Sequence, residues 1–447
     1  MTKTVFNILA PWLCCTLFLS GSTLQAAEAG GIGRSLQDFF TAALEFSPRL
    51  QIAEENLNIG GARKQAATGR LLPQLSASAS RSENRQVRAG QVTEFGGRRY
   101  SLQLSQVLFN WQAFAARRRS SLVEDQRESE YYFELSTLLT QVAEAYFNVL
   151  QAQDALTSIE SEIDALRNQL EQVQSRYDRQ LAQITDLYLA RSSLASAEAD
   201  QLRLENERAL AQEDLRSVTG LEVGELLTLS DTAEVPGVDE SIQYWVELAR
   251  ENNQQIRARE LALRAAEELV SESRGAYYPQ VNLVAQQRDS NQGFDNIFIP
   301  RNETSYLGLN VEIPLYSGGT NRASVREARS SRNIAESELV QTELDARQRV
   351  RAAYLQVQSN QALTAASESV LESATLSSEA MQEGFRLGVV TSVDVLNALR
   401  DQFQAERDLQ QARYEHIKNL LFLKREAGTL TAEDMIEVGN WLENPEQ

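Results

Sequence analysis

Residues 72–80 read Leu72-Pro73-Gln74-Leu75-Ser76-Ala77-Ser78-Ala79-Ser80, apolar at every second position from Leu75 with hydroxyls between. A period of two puts Leu75, Ala77 and Ala79 on one face of an extended strand and the serines on the other. The same alternation returns at Tyr100, Leu102 and Leu104, at Val281, Leu283 and Ala285, and at Leu307, Leu309, Val311 and Ile313. Strands are therefore expected at about 74–82, 100–108, 280–288 and 305–313. Segments of about nine to eleven residues cross a bilayer when tilted, and one apolar face with one polar face suits a wall between lipid and water. A half-buried strand of a globular protein alternates too, so the flanks carry weight. Phe109, Trp111, Tyr277, Tyr278 and Tyr316 cluster where strands meet their neighbours, as interfacial aromatics do. The polar stretches Arg81–Arg99 and Asp289–Thr304 read as long outer loops. Four strands cannot close a barrel, and open edges are not tolerated in lipid, so several chains must each donate four.

Outside the strands the period lengthens. Val142, Ala145, Val149, Ala152, Leu156, Ile159, Ile163, Leu166, Leu170, Val173 and Tyr177 step by three and four, which is a coiled-coil seam. Glu160, Glu162, Asp164, Arg167 and Glu171 lie between them and are read as solvated. With Asn110 as cap, one helix spans 110–179, on the order of 100 Å at 1.5 Å per residue. A rod of that length has a use in something that crosses a gap. Its partner, at 185–219, is rich in Ala and Leu, and the pair is expected to pack as an antiparallel hairpin. Further helices are expected at 317–387 and 392–429.

The chain is written twice. Pro73 and Pro279 are 206 positions apart; Leu108-Phe109-Asn110 matches Leu315-Tyr316-Ser317 at 207; Ala145-Tyr146, Asp186-Leu187 and Thr219-Gly220 match Ala353-Tyr354, Asp394-Val395 and Ala427-Gly428 at 208. The division is a first repeat at 30–220, a linker at 221–238, a second repeat at 239–430 and a C-terminal tail at 431–447. Residues 1–29, with Lys3, the apolar run Phe6–Leu19 and the small residues to Ala29, have the layout of a secretory signal.

Both cysteines, Cys14 and Cys15, fall inside that signal, so disulfides, thiolate metal sites and thiol nucleophiles are not expected in the mature chain. The single histidine, His416, has no His or Cys neighbour and is read as an incidental helix-surface or packing residue; no metal or other cofactor is expected. A formal charge of -19 makes nucleic acid a poor partner. Beyond the signal no apolar window of about 18 residues occurs, so any membrane span must be built from strands.

Four stretches, Leu71-Leu72-Pro73-Gln74-Leu75, Ala145-Tyr146-Phe147-Asn148-Val149-Leu150, Pro314-Leu315-Tyr316-Ser317-Gly318-Gly319 and Gly428-Thr429-Leu430 before Glu433-Asp434, resemble the TolC-like outer-membrane efflux protein family. The resemblance covers essentially the whole mature chain. It implies an α+β membrane protein, a homotrimer whose 12-stranded β-barrel sits in the outer membrane of a Gram-negative bacterium and continues as a long α-helical tunnel through the periplasm. Such a duct passively conducts substrates in efflux or type I secretion, docking a periplasmic adaptor and an inner-membrane pump of RND, ABC or MFS type. By the same resemblance Arg179, Gln180, Leu181 and Leu387, Gly388, Val389 form adaptor-docking tips, and Asp186 and Asp394 stand where the family places acidic gate residues. Asn397 stands at the family's second acidic position, and Val390 and Phe385 where an arginine and a tyrosine join the gate, so the latch is expected to differ. Gly388 suits a left-handed turn; Gln180 would pay about 1 kcal/mol there, so the first turn is expected to take another shape. Thr391-Ser392-Val393-Asp394 also fits a capping box, an ordinary structural role for Asp394.

An enzyme reading finds no nucleophile motif and no phosphate loop. A periplasmic coiled-coil adaptor is the strongest alternative: it would explain the helical hairpins but not paired strands of bilayer length.

Overall fold

A computed structural model describes residues 32–230, 233, 235–292 and 297–443; the expected signal lies outside them. In chain order the elements are β1 (Ile32–Gly33), α1 (Leu36–Phe46), α2 (Pro48–Gly69), β2 (Gln74–Arg88), β3 (Gln91–Phe109), α3 (Trp111–Asp178), α4 (Ile184–Thr219), β4 (Glu222–Val223), β5 (Thr228–Leu229), α5 (Ile242–Asn252), α6 (Gln254–Gly275), β6 (Gln280–Gln292), β7 (Phe298–Glu312), α7 (Thr320–Leu387), α8 (Ser392–Glu426), α9 (Ala432–Gly439) and β8 (Leu442–Glu443). The repeat is carried in element lengths. Helices α1 and α5 have 11 residues, α2 and α6 have 22, and α3 and α7 have 68.

Local chemistry sets these boundaries. Helix α3 starts where the Asn110 side chain accepts the Ala113 N–H at 3.1 Å, and no glycine or proline interrupts it. Helices α4 and α8 both stop at a left-handed glycine, Gly220 and Gly428, each at φ +73°. Helix α7 starts at Thr320, three residues later than the sequence suggests, because Ser317-Gly318-Gly319 turns the chain with both glycines at positive φ.

Strands β2, β3, β6 and β7 form one antiparallel sheet in that order, leaving β2 and β7 as unpaired edges. Arg81–Arg99 is not a loop. Strands β2 and β3 run through it in continuous register to the pair Arg88↔Gln91, where Ala89 (φ +51°) and Gly90 (φ +80°) close a two-residue turn. Most of Asp289–Thr304 likewise belongs to β6 and β7. The register aligns Leu75, Leu104, Ala285 and Leu307 in one row across all four strands. Side chains opposite one another share a face, so the alternating apolar positions of the four strands lie together, with Val107 and Val284 on the other face.

Among the described residues three cores hold the helices. The largest surrounds Phe39, Tyr146, Phe147 and Tyr414 at mid-height, where the Tyr146 hydroxyl donates to the carbonyls of Arg34 and Leu227 at 3.1 Å each. The linker and tail are part of it: Leu226, Leu229, Met435, Val438 and Leu442 are buried there, and β5 pairs with β8. The second core joins the α3 seam from Leu156 to Val173 with α4 and α8, and the third joins α5, α7 and Leu423. Glu162 is not solvated; it is buried against Arg407 at 2.9 Å, tying α3 to α8.

Candidate functional site: the inner tips and the apolar wall

The inner end is built from two helix turns. Helix α3 closes with the Leu181 N–H donating to the Arg176 carbonyl at 2.8 Å, and α7 closes with the Val389 N–H donating to the Gly384 carbonyl at 2.9 Å. These bonds reach back five residues across a left-handed residue, the Schellman arrangement. Gly388 supplies φ +78° in one turn and Gln180 supplies φ +61° in the other. The first turn therefore has the same shape as the second, contrary to expectation, and a glutamine carries the strain. Leu181, Leu387 and Val389 are exposed at the tips, as are Arg179, Gln180, Gly388, Ile184 and Tyr188, which leaves an apolar rim unpartnered in one chain.

Behind the tips the five expected gate residues separate into two groups. Asp394 and Asn397 are exposed on α8 one turn apart. The Asp394 carboxylate accepts the Thr391 N–H at 3.0 Å and the Thr391 hydroxyl at 2.6 Å, and these bonds hold its pKa below the ordinary carboxylate range. Asn397 accepts from Arg400 at 3.2 Å. Asp186, half-buried on α4, accepts the Gln183 N–H at 3.3 Å. Phe385 and Val390 instead belong to the second core: Phe385 is 5% exposed, and Val390 is half-buried and packs against the same cluster.

A residue the sequence did not single out joins the two turns. The Arg176 guanidinium lies 4.0 Å from the Phe385 ring centroid and donates to the carbonyls of Phe385 and Arg386. This clamp is cation–π contact and hydrogen bonding together. The available signal was an arginine flanked by the seam positions Val173 and Tyr177, with no acid three or four residues away. Gln169 adds a weaker link to Ser392 at 3.5 Å.

At the other end of the helices the aromatic residues gather at the strand junctions. Trp111 meets Tyr278 edge-on at 5.9 Å between centroids and donates to the Ser271 hydroxyl at 3.1 Å. Phe109 packs against Phe114 at 6.3 Å, while Tyr277, Tyr278 and Tyr316 are exposed. Above them the sheet presents its apolar face to the surroundings. Leu307 is 73% and Leu75 68% exposed, whereas Ser101, Gln103 and Ser105, on the opposite face of β3, are half-buried. A water-soluble sheet does the reverse. No helix among the described residues is long and apolar enough to cross a membrane.

The model of the family described as "Outer membrane efflux protein" matches residues 40–221 and again 245–429, one match to each repeat. Among curated relatives, outer membrane protein TolC of Vibrio cholerae is 28% identical over 427 residues, covering 94% of this chain and 97% of the relative. The alkaline protease secretion protein AprF of Pseudomonas aeruginosa is 27% identical, with 94% and 89% covered. The solved CmeC outer membrane channel of Campylobacter jejuni superposes with a TM-score of 0.77 at 16% identity, over 92% of this chain and 90% of that one. Matched in both halves and along nearly its whole length, this chain belongs to the outer membrane efflux protein family.

Proposed function

We propose that this outer-membrane efflux protein works as a homotrimer, three four-stranded sheets closing a 12-stranded barrel and the helices beneath them forming one tunnel. The observation that carries the reading is the sheet itself: its apolar face is exposed and its edges, β2 and β7, are both unpaired. Lipid covers the first, and only another copy can satisfy the second. Exposed Leu355, Leu363, Val370 and Leu376 along α7, and Leu202 and Leu210 along α4, supply apolar surface for the same assembly below the membrane.

In this reading the duct conducts passively and performs no catalysis. A periplasmic adaptor docks on the apolar rim at Leu181, Leu387 and Val389, and an inner-membrane pump of RND, ABC or MFS type supplies the energy. Relatives named for protease secretion support a role in type I secretion beside efflux. Three copies of Asp394 around a narrow mouth would focus a negative potential that admits cations and repels anions. The Arg176 clamp holds the tips in register until the adaptor arrives.

Native mass spectrometry of the detergent-purified protein should read three chains, and on gels the unheated sample should migrate apart from the boiled one. A monomer that stays dissolved without detergent would overturn the proposal.

A further inference from the structure

We propose that Arg81 and Arg98, paired across β2 and β3 on the outward face of the sheet, bind the phosphate groups of a phosphorylated lipid in the outer leaflet. The proposal rests on the outer-membrane position of this face, and its first support is the register. Leu75↔Leu104, Ala77↔Leu102 and Ala79↔Tyr100 form successive outward rows, and Arg81↔Arg98 is the next. Both arginines are exposed. On β2 and β3 the site begins where the apolar positions end.

Height gives the second support. From Phe109 at the inner junction to Arg98 is eleven steps along β3, with one register irregularity between Val107 and Phe109. At about 3.3 Å per residue and a tilt of 35–45° that rise is roughly 26–30 Å, close to the height of a barrel's apolar band. The pair therefore lies at the level of headgroup phosphates. Tyr100, directly below and half exposed, suits the same interfacial layer.

The third support is charge. Opposed side chains on neighbouring strands have Cβ atoms about 5 Å apart, and like charges so placed repel. The adjacent outward charges are matched within the protein. Arg85 faces Glu94 at 3.5 Å, and Arg301 bonds Asp289 at 2.6 Å and Glu303 at 3.1 Å. Arg81 and Arg98 have no ion-pair partner among the described residues, and Glu83, the next outward residue on β2, stands opposite Gly96. The carboxylate near Arg98, Asp289, is bonded to Arg301, and two guanidinium forks side by side without an ion pair fit one phosphate group or two on neighbouring sugars.

The test is native mass spectrometry of the detergent-purified protein titrated with bis-phosphorylated lipid A and with the same lipid stripped of phosphate. The native protein should hold the phosphorylated form about tenfold more tightly. R81S/R98S should lose that preference, R81K/R98K should keep only part of it, and R88S, at the hairpin turn, should keep all of it. Equal binding of the two lipids by the native protein, or an undiminished preference in R81S/R98S, would overturn the proposal. The comparison of lipids on the native protein decides the matter even if a variant fails to assemble. Failure of the membrane reading itself would look different, as a protein that needs no detergent.

Discussion

Asp394 has a structural role and a proposed gating role, which a substitution can separate. Its carboxylate closes the capping box on α8, and its charge is exposed where the proposed function sets the mouth. D394N keeps an acceptor for the Thr391 N–H and removes the charge, whereas D394A removes both. In planar-bilayer recordings both variants should lose cation preference, and only D394A should also lower thermal stability. Because hydrogen bonds from Thr391 depress the folded-state pKa, the cap's contribution is present above the ordinary value of 3.8 and disappears as pH falls through the lower folded value. Cation preference, read as reversal potential, should therefore persist from neutral pH to below about 4. Arg176 gives the complementary experiment: R176A frees the two turns from each other, and resting conductance should rise several-fold. Unchanged conductance would leave Arg176 a packing residue. His416 is buried at mid-height with its Nε2 unpartnered among the described residues, and burial lowers its pKa. The unfolded chain then binds the extra proton first, so stability should fall as pH drops below about 6.5 and continue to fall until the folded-state pKa is passed. H416L should flatten that part of the melting-temperature profile. Asp394's cap could be read from Thr391 three residues before it; the burial of Phe385 could not, because the side chains that cover it come from other helices.

Elements whose two sides differ in polarity were legible, and those bathed on both sides were not. The α3 seam and the Asn110 cap follow from spacing and residue type alone, and so do the membrane portions of the strands. Residues Ser82 to Arg88 alternate only between one polar residue and another until Val87, so their continuation of β2 leaves no hydrophobic period. The linker and tail were missed because a buried segment of a few residues, such as Leu226 to Leu229, is too short to show periodicity. Thr431 and Asp434 did advertise α9, by the same capping pattern that opens α8. At the tips the sequence misled, since glutamine at a left-handed position is disfavoured and yet present. G388A should cost about 1 kcal/mol in that turn. Q180G should be neutral or slightly stabilising, relief of strain being offset by the greater freedom of glycine in the unfolded chain. Melting temperatures of the two variants check the pair.

For the whole molecule, the decisive variable is which face of the sheet a charge enters. Leu309 and Asn310 are neighbours on β7 and point to opposite faces. L309R puts a guanidinium toward lipid, at about 2–4 kcal/mol if near mid-bilayer, and should abolish the slow-migrating unheated form. N310R points into the lumen and should assemble normally while altering conductance. Equal damage from both would contradict the barrel. The number of copies was not legible in one chain; what the residues dictate is only that the edges need company. The 68-residue rods have a mechanical corollary. Without a glycine or proline joint in its shaft, α3 has no ready place to kink midway, so displacement at one extremity should be passed along the rod to the core around Tyr146. A binder that braces the lower extremity should therefore also quieten amide exchange around Tyr146 and Tyr414, tens of ångströms away.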